Sequence, residues 1–406
     1  MRRVSLMLLL SLFALTARAA GLAAYAGNYS LAGHTLAIAE WEIDPAAPHV
    51  LAFTDLHSGR FGVLEEAARD VYVLRERVMS GPEAARLQFT RNGLIFTAAG
   101  KKPGTARRLP HRTIEMTGAS RPATLLLPPG NGPFPAIVIV PAGHAGRLAA
   151  ATFPNFFLSQ GFAVLAYDRR NERAPFETYA DDAIAATEML RARPDIDGRR
   201  VGLWGHSQGG WLSLIAASKA AGVAFVIDHS GMFVPAWQQE LYRIAAEGMA
   251  DGIPPTDVAA AVSFETKLIQ VARTGEGWDE LVAMLTNEKG SWQELVYKPA
   301  SLQELQQIWR DDFSFDPRPL AAGVKQPVLA LFGGLDRSTP IESAANLKRA
   351  MPSNTRLTEM FFPTANHAFL DATTGGNHEI PNLQRFAPGM FEAMRRWLRS
   401  NVVDHR

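Results

Sequence analysis

The chain has 406 residues, of which 47% are hydrophobic and 20% are charged, and this balance excludes a disordered or fibrous protein. Its 41 basic and 40 acidic residues leave a net charge of +1, and we find no basic stripe that predicts a nucleic-acid partner. Because cysteine is absent, a disulfide framework, a thiolate metal site and a catalytic thiol are excluded. The length favours one large domain with an appendage.

Residues 1–19 have the pattern of a signal peptide. Arg2 and Arg3 form a positive start, an apolar run follows at positions 4–15, and small residues allow cleavage after Ala19. The apolar run is too short to span a bilayer core of about 30 Å. We therefore predict export to a periplasm or to the medium, without stable membrane insertion after cleavage. An uncleaved N-terminal anchor is the alternative.

Residues 20–112 are predicted to form a small β-rich accessory domain. The predicted strands lie at 35–41, 50–54, 71–74, 86–90 and 94–97, with glycine and proline between them. A helical patch is predicted at residues 64–68. The start of this region, at residues 25–29, is similar to that of a lipocalin-like or other small β-barrel module. No catalytic constellation occurs in it.

From residue 113 onwards strands alternate with helices, which is typical of a mostly parallel sheet connected by crossovers. The predicted strands are 124–127, 136–140, 163–167, 201–204, 224–228, 328–332 and 356–362. The predicted helices are 153–160, 179–191, 211–221 and 388–399. We assign residues 113–406 to a single α/β domain.

The alternation stops between residues 235 and 319, where the pattern is helical. This stretch contains Trp237, Trp278, Trp292 and Trp309 and predicts a lid over the carboxyl edge of the sheet. Trp237 is the candidate substrate-binding residue. The alternative is a helical subdomain whose packing is purely structural.

The sequence Gly205-His206-Ser207-Gln208-Gly209 follows an apolar strand and precedes a helix, and it matches the pattern G-x-S-x-G. A strand-to-helix turn this sharp is strained, so the positions two before and two after the serine must be small. The turn exposes the Ser207 hydroxyl and directs the helix N-terminus at the reacting centre. Ser207 is therefore the candidate nucleophile; a glycine-rich turn with a buried serine is the alternative.

A serine hydroxyl needs a base to take its proton. His367 follows the last predicted strand and is the candidate base. Asp336 follows strand 328–332 and is the candidate acid that accepts the imidazole N–H and fixes its tautomer. The order serine, acid, histidine is one of those in which triads occur.

Other residues of the same types are expected to have different roles. Asp311, Asp312 and Asp316 precede strand 328–332, and we interpret them as lid or hinge residues. His206 is expected to point away beneath the turn, and His378 lies in a loop with no strand before it.

Acyl transfer also needs two N–H donors directed at the developing oxyanion. The backbone N–H of Gln208 is the first candidate. The second comes from the loop after strand 136–140, where Ala142 and Gly143 are both candidates. An ordinary glycine turn at residues 141–146 is the alternative.

With these residues placed, residues 113–399 resemble α/β-hydrolase esterases, in particular bacterial carboxylesterases, dienelactone-hydrolase-like and prolyl-oligopeptidase-like proteins. The resemblance rests on the segments 132–138, 166–170, 195–197, 201–210 and 327–333. It implies an α/β-hydrolase fold with a serine nucleophile. The chain departs from this branch in having Pro141-Ala142 where His-Gly is common, and Asn171-Glu172-Arg173 where a glycine-containing turn is usual.

The predicted reaction is hydrolysis of a carboxylic ester through an acyl-enzyme on Ser207. A peptidase, amidase or thioesterase could use the same triad, and a non-catalytic binding protein on this fold is the alternative of another class. The tryptophan-bearing lid favours an apolar acyl or aromatic group in a small-molecule substrate. Neither a metal-ligand spacing nor a phosphate-binding loop is present, so no cofactor or metal is predicted. The natural substrate and the oligomeric state stay open.

Overall fold

Two sheets organise the chain, a closed barrel near the N-terminus and an open sheet in the remainder. The computed structural model describes residues 19–118, 121–143, 145–287, 290–309 and 312–404. All but the last residue of the predicted signal peptide lies outside these ranges, and Ala19 begins a short helix, α1 (Ala19–Leu22). None of the helices in the described ranges has both the length and the apolar character that crossing a membrane requires.

The barrel has eight antiparallel strands, and β1 pairs with β8 to close it. The strands are β1 (Gly27–Leu31), β2 (His34–Trp41), β3 (Val50–Asp55), β4 (Phe61–Ala68), β5 (Val71–Arg75), β6 (Glu83–Thr90), β7 (Gly93–Ala98) and β8 (Gly104–Arg108). Alternate side chains, such as Leu87 and Phe89 of β6, point inward. Together with Tyr29 and Phe53 they form the barrel core. The prediction of a β-rich N-terminal region is confirmed.

The helix predicted at residues 64–68 is wrong, because this segment is the second half of strand β4. Glutamate and alanine favour helices, but an isolated helix needs about 12 residues to be even marginally stable. Here β5 pairs with β4 from Leu64 to Ala68, and β3 pairs with β4 as far as Leu64, so the segment is part of the barrel sheet. Leu64 faces the barrel core, and Glu65 binds Arg75 on the neighbouring strand with a 2.7 Å contact.

The open sheet also has eight strands, in the order β16-β15-β14-β13-β11-β12-β10-β9. These are β9 (Arg112–Gly118), β10 (Arg121–Leu127), β11 (Phe134–Val140), β12 (Ala163–Tyr167), β13 (Ile196–His206), β14 (Val226–His229), β15 (Val328–Gly333) and β16 (Leu357–Phe362). Strands β11 to β16 run parallel, and β10 pairs antiparallel with both β12 and β9. The inner strands β12 and β15 are buried at every position, because helices cover both faces of the sheet.

Ten α-helices follow α1 in the described ranges. They are α2 (Phe153–Ser159), α3 (Phe176–Arg191), α4 (Gln208–Lys219), α5 (Ala236–Ala250), α6 (Pro255–Thr274), α7 (Trp278–Asn287), α8 (Leu302–Trp309), α9 (Arg318–Ala321), α10 (Glu342–Ala350) and α11 (Met390–Leu398). Helices α3 and α4 pack on one face of the sheet through residues such as Trp211. Helices α2 and α11 pack on the other through residues such as Phe156 and Trp397.

The insertion at residues 235–319 is helical, as predicted, and has its own apolar core. Phe264, Leu268 and Trp292 are buried in it. Trp309 stacks on Phe313, with ring centroids 5.0 Å apart, and Trp278 also packs against this core. Three of the four tryptophans therefore serve the packing of the insertion itself. The fourth, Trp237, is 39% exposed.

Candidate active site

Ser207 lies in the turn between β13 and α4, with backbone angles φ 56° and ψ −124°. A positive φ is uncommon for a residue that is not glycine, and such strain at a turn is characteristic of functional sites. The glycines on either side are required by close approach. A Cβ atom on Gly205 would lie 2.0 Å from the carbonyl oxygen of Gly209, and one on Gly209 would lie 2.3 Å from that of Val140. The turn therefore has the geometry that the G-x-S-x-G pattern predicts.

Asp336 and His367 follow neighbouring parallel strands, β15 and β16, and meet at the carboxyl edge of the sheet. His367 Nδ1 lies 2.9 Å from Asp336 Oδ2 and 3.0 Å from Oδ1. The backbone amides of Ser338 and Thr339 donate to Asp336 Oδ1 over 2.8 and 2.7 Å. The carboxylate is 4% exposed, so these donors and the imidazole hold it in one orientation.

The surroundings of Asp336 also determine its charge. Burial by itself would raise the pKa of the carboxyl, but the nearby His367 and the Thr339 amide outweigh it, and the pKa lies below its usual value. Asp336 is thus an anion at neutral pH and can accept the imidazole N–H. His367 Nε2 is then the ring nitrogen left to exchange a proton with substrate or nucleophile.

Two further histidines lie next to His367. His206 Nε2 donates to the backbone carbonyl of His367 over 2.7 Å, and the two rings are 4.7 Å apart. The expectation that His206 points away beneath the turn is therefore wrong, since it bridges the turn and the His367 loop. His229 is buried below them and its carbonyl accepts the Ser207 amide over 2.8 Å. Burial, and then the charges of His206 and His367, hold the pKa of His229 well below its usual value, so its ring is neutral.

The candidate oxyanion loop lies beside the turn and is bound to it. The Gly143 amide donates to Gln208 Oε1 over 3.0 Å. Arg169, which follows β12, donates to the same oxygen. Its guanidinium group lies over the ring of Tyr179, 3.6 Å from the centroid. The side chain of Gln208 thus joins the start of α4 to the loop and to the Arg169 guanidinium group, a role that the sequence pattern alone does not reveal.

Other side chains bind the rest of this loop. The Gly146 amide donates to Glu42 Oε1 of the barrel over 3.0 Å. The Arg147 amide donates to Asp168 Oδ1 over 2.8 Å. Sequence reasoning missed both acceptors because they lie 104 and 21 residues away along the chain.

The helical insertion contacts the loop that carries Asp336. Tyr242 on α5 donates its hydroxyl to the carbonyl of Asp336 over 2.9 Å, and Gln239 donates to that of Ser338 over 2.8 Å. Ser338 in turn donates its hydroxyl to Glu247 over 2.6 Å. A cavity of about 390 Å³ lies beside these contacts, lined by Ala246, Met249, Ala250, Arg337 and Thr374.

The rival carboxylates of the sequence analysis have other partners. Asp312 pairs with Arg173, and Asp316 pairs with Arg318 over 2.6 Å. Asp311 lies outside the described residues. His378 lies 2.9 Å from Asp251 at the end of α5. Within the described part of the chain, no group of three or more histidine, aspartate and glutamate side chains could hold a metal ion.

Comparison with known proteins gives partial matches to hydrolases. Esterase EstD of Thermotoga maritima is 27% identical over 160 residues, which are 35% of this chain and 38% of EstD. Acyl-coenzyme A thioesterase 1 of Mus musculus is 32% identical over 176 residues, 40% of this chain and 38% of the mouse protein. The matched regions therefore span less than two-fifths of the length of these relatives.

Solved structures give weaker likenesses. 2,6-Dihydroxy-pseudo-oxynicotine hydrolase has a TM-score of 0.46 at 16% identity, over 73% of this chain and 69% of that one. The Pyrococcus furiosus esterase PF2001 has a TM-score of 0.46 at 12% identity, over 72% of this chain and 92% of that one.

The family match covers strands β11 to β16 of the open sheet and the loops between them. The model of the alpha/beta hydrolase family matches residues 125–385, well over half of the chain. This range includes the strained turn at Ser207 and the Asp336–His367 pair. The chain belongs to the alpha/beta hydrolase family.

Proposed function

We propose that the protein hydrolyses a carboxylic ester through an acyl-enzyme on Ser207, with His367 as the base and Asp336 as the acid that orients it. The observation that carries this proposal is the 2.9 Å contact between His367 Nδ1 and Asp336 at the edge where Ser207 occupies its strained turn. The contact of His206 with the His367 backbone holds the histidine loop against that turn.

The steps follow from these positions. His367 Nε2 takes the proton of Ser207 Oγ as this oxygen attacks the ester carbonyl carbon, and a tetrahedral oxyanion forms. When the bond to the alkoxy oxygen breaks, the alcohol leaves with the proton from His367. Water then attacks the acyl carbon, with His367 again as the base, and releases the carboxylic acid and free Ser207.

The oxyanion needs two N–H donors. We assign the first to the backbone of Gln208 at the start of α4, where the helix dipole adds to the field. For the second, Ala142 is favoured over Gly143, because the Gly143 amide is engaged by Gln208 Oε1.

Thioester hydrolysis is a second candidate, favoured by the partial match to mouse acyl-coenzyme A thioesterase 1. The same residues would act, and a thiol would leave in place of an alcohol. In either case the substrate is a small acyl compound. The exposed face of Trp237, at the start of α5, supports contact with an apolar or aromatic group.

The proposal extends to the division of the chain and to its compartment. The enzyme would be exported with a signal peptide at residues 1–19. It would have an accessory domain at 20–112 and a catalytic domain at 113–406 with its insertion at 235–319. The positive start, the apolar run and the small residues before position 20 support export to a periplasm or the medium. N-terminal sequencing of the exported protein tests it, with a first residue of Ala20 expected.

The activity is tested with p-nitrophenyl esters of increasing acyl length and with acyl-coenzyme A thioesters, on the wild type and Ser207→Ala. We expect wild-type ester turnover that falls by about 10³-fold or more in the variant. Faster turnover of thioesters would favour the second candidate. Wild-type protein that turns over neither class, and whose Ser207 resists a fluorophosphonate, would contradict the proposal.

A further inference from the structure

We propose that the N-terminal barrel contributes to the active site, and that Glu42, which follows its strand β2, is a positioning residue for the oxyanion loop at residues 141–146. This inference rests on the proposed function. Glu42 follows β2, whose Ala37 and Ala39 side chains are buried in the same apolar cluster as Phe156 of α2. Its Oε1 accepts the amide hydrogen of Gly146 over 3.0 Å, across 104 residues of sequence.

The residue at position 146 allows this close approach. A Cβ atom there would lie 2.8 Å from Glu42 Oε2 and 3.2 Å from Oε1, so an alanine at this position would force the carboxylate to shift. The Glu42 side chain is 15% exposed, and a hydrogen bond to a charged acceptor is strong when water is largely excluded.

Glu42 also has a partner on the barrel side, His49. His49 Nε2 lies 3.8 Å from Glu42 Oε2, and His49 Nδ1 lies 2.8 Å from Glu40 Oε1. All three side chains belong to the connection between β2 and β3 or to the end of β2. The barrel therefore presents Glu42 in a defined position rather than as a free surface carboxylate.

The contact at Gly146 reaches the candidate donor through one turn of the loop. The Ala145 amide donates to the carbonyl of Ala142 over 3.0 Å, which closes a turn directly before Gly146. Because Ala142 and Gly146 are joined through this turn, a carboxylate that fixes Gly146 also limits the orientation of the peptide groups at 142 and 143. A displacement of about 1 Å at an oxyanion donor is enough to lower a rate substantially.

The barrel also contacts the chain after the oxyanion loop at two further positions. Thr54 Oγ1 lies 2.5 Å from Thr152 Oγ1, just before α2. Asn28 donates to the carbonyl of Asn155 over 2.9 Å, and Asn155 donates to that of Ile38 over 3.0 Å. Thr54, Thr152, Asn28 and Asn155 are buried, so the chain that follows the oxyanion loop is bound to the barrel at these positions, and Glu42 binds the loop itself at Gly146.

The test compares three variants of the full chain with a matched control. Glu42→Ala removes the acceptor, Glu42→Gln keeps an amide oxygen that can accept, and Gly146→Ala displaces the carboxylate from the loop side. Glu65→Ala is the control, since Glu65 is a barrel carboxylate that pairs with Arg75 on the neighbouring strand β5. The readouts are kcat and KM for a p-nitrophenyl ester and hydrogen–deuterium exchange of residues 141–152.

We expect kcat to fall by about ten-fold in Glu42→Ala and Gly146→Ala, with KM within about two-fold, because a charge-assisted hydrogen bond is lost. Exchange at residues 141–152 should rise in both. Glu42→Gln keeps an acceptor but loses the charge and should be impaired less than Glu42→Ala, while Glu65→Ala should stay close to the wild type. Unchanged kcat in Glu42→Ala, with or without faster exchange, would overturn the inference. So would an equal loss of kcat in Glu65→Ala. Failure of the proposed function would instead appear in the wild type, as a Ser207 that is not acylated.

Discussion

Tyr242 donates its hydroxyl hydrogen to the backbone carbonyl of Asp336, and the two oxygens are 2.9 Å apart. The donor belongs to the helical insertion and the acceptor to the loop that orients His367. Together with the contacts of Gln239 and Glu247 to Ser338, this bond makes the insertion a support for the loop that carries Asp336.

Tyr242→Phe should lower kcat about three- to ten-fold with little loss of stability, because it removes one hydrogen bond of about 1 kcal/mol and keeps the ring. Tyr297→Phe is the control, since Tyr297 bonds Glu304 within the insertion. Steady-state kinetics and thermal midpoints of both variants check this. Equal kinetics in the two variants would show that the insertion does not support Asp336.

Asp336→Asn should lower kcat/KM by about 10³-fold or more, because an amide cannot stabilise the imidazolium and favours the wrong tautomer. Since His367 and the Thr339 amide hold the pKa of Asp336 low, the wild-type carboxyl is charged throughout the neutral range. No increase in pH should therefore restore the variant. Asp312→Asn and Asp316→Asn, which change the rival carboxylates, should keep the activity within about three-fold; if either matched Asp336→Asn, the assignment of the acid would be wrong.

Gln208→Met should lower kcat about ten-fold, because it removes the oxygen that binds the Gly143 amide and Arg169 while keeping the backbone donor at position 208. Gln208→Glu retains an acceptor for both groups and is the matched variant, expected to be the less impaired. Kinetics and the rate of fluorophosphonate labelling measure the effect. A faster Gln208→Met enzyme would instead indicate that the side chain competes with the oxyanion for the Gly143 N–H.

Asp228 predicts a dependence of stability on pH. This carboxyl lies on β14 beneath the start of α4, and burial raises its pKa to about 7. Between about pH 4 and pH 7 the unfolded chain releases this proton whereas the folded protein keeps it. The contribution of Asp228 to the free energy of unfolding therefore falls as the pH rises through this interval, by at most about 4 kcal/mol, and is constant above it.

Asp228→Asn should accordingly be more stable than the wild type at pH 8, by about 1–3 kcal/mol, and close to it at pH 4.5. Urea unfolding at the two pH values measures the difference. Asp182→Asn is the contrasting variant, because Asp182 is buried against Arg170 with contacts of 3.0 and 2.6 Å. It should be destabilised at both pH values. An Asp228→Asn protein that is less stable at pH 8 would contradict the prediction.

Local sequence was enough for seven of the eight strands of the open sheet and for the order of the candidate residues, but strand β9 was not predicted. The strand predicted at residues 163–167 is strand β12, because a buried central strand is apolar at every position and its neighbours in sequence are turns. The turn at Ser207 could also be recognised from local sequence. Its close backbone contacts require glycine, and these glycines lie two residues before and two residues after the serine.

Contacts between distant segments account for what the sequence did not reveal. Residues 64–68 have helical propensity and nevertheless form a strand, because β5 pairs along one edge of the segment and β3 pairs with Leu64 on the other. His206 turns towards His367, across 161 residues, for a carbonyl that no local pattern predicts.

The sequence by itself determined the fold class, the strained turn and the order of Ser207, Asp336 and His367, since each of these depends on periodicity or on spacing within a few residues. Only the tertiary structure decided what holds the site in place. The partners of Gly143, Gly146 and the Asp336 carbonyl are Gln208, Glu42 and Tyr242, which lie 65, 104 and 94 residues away. A hydrogen bond over such a separation depends on how the barrel, the sheet and the insertion pack together, and a single sequence carries no periodic trace of that packing.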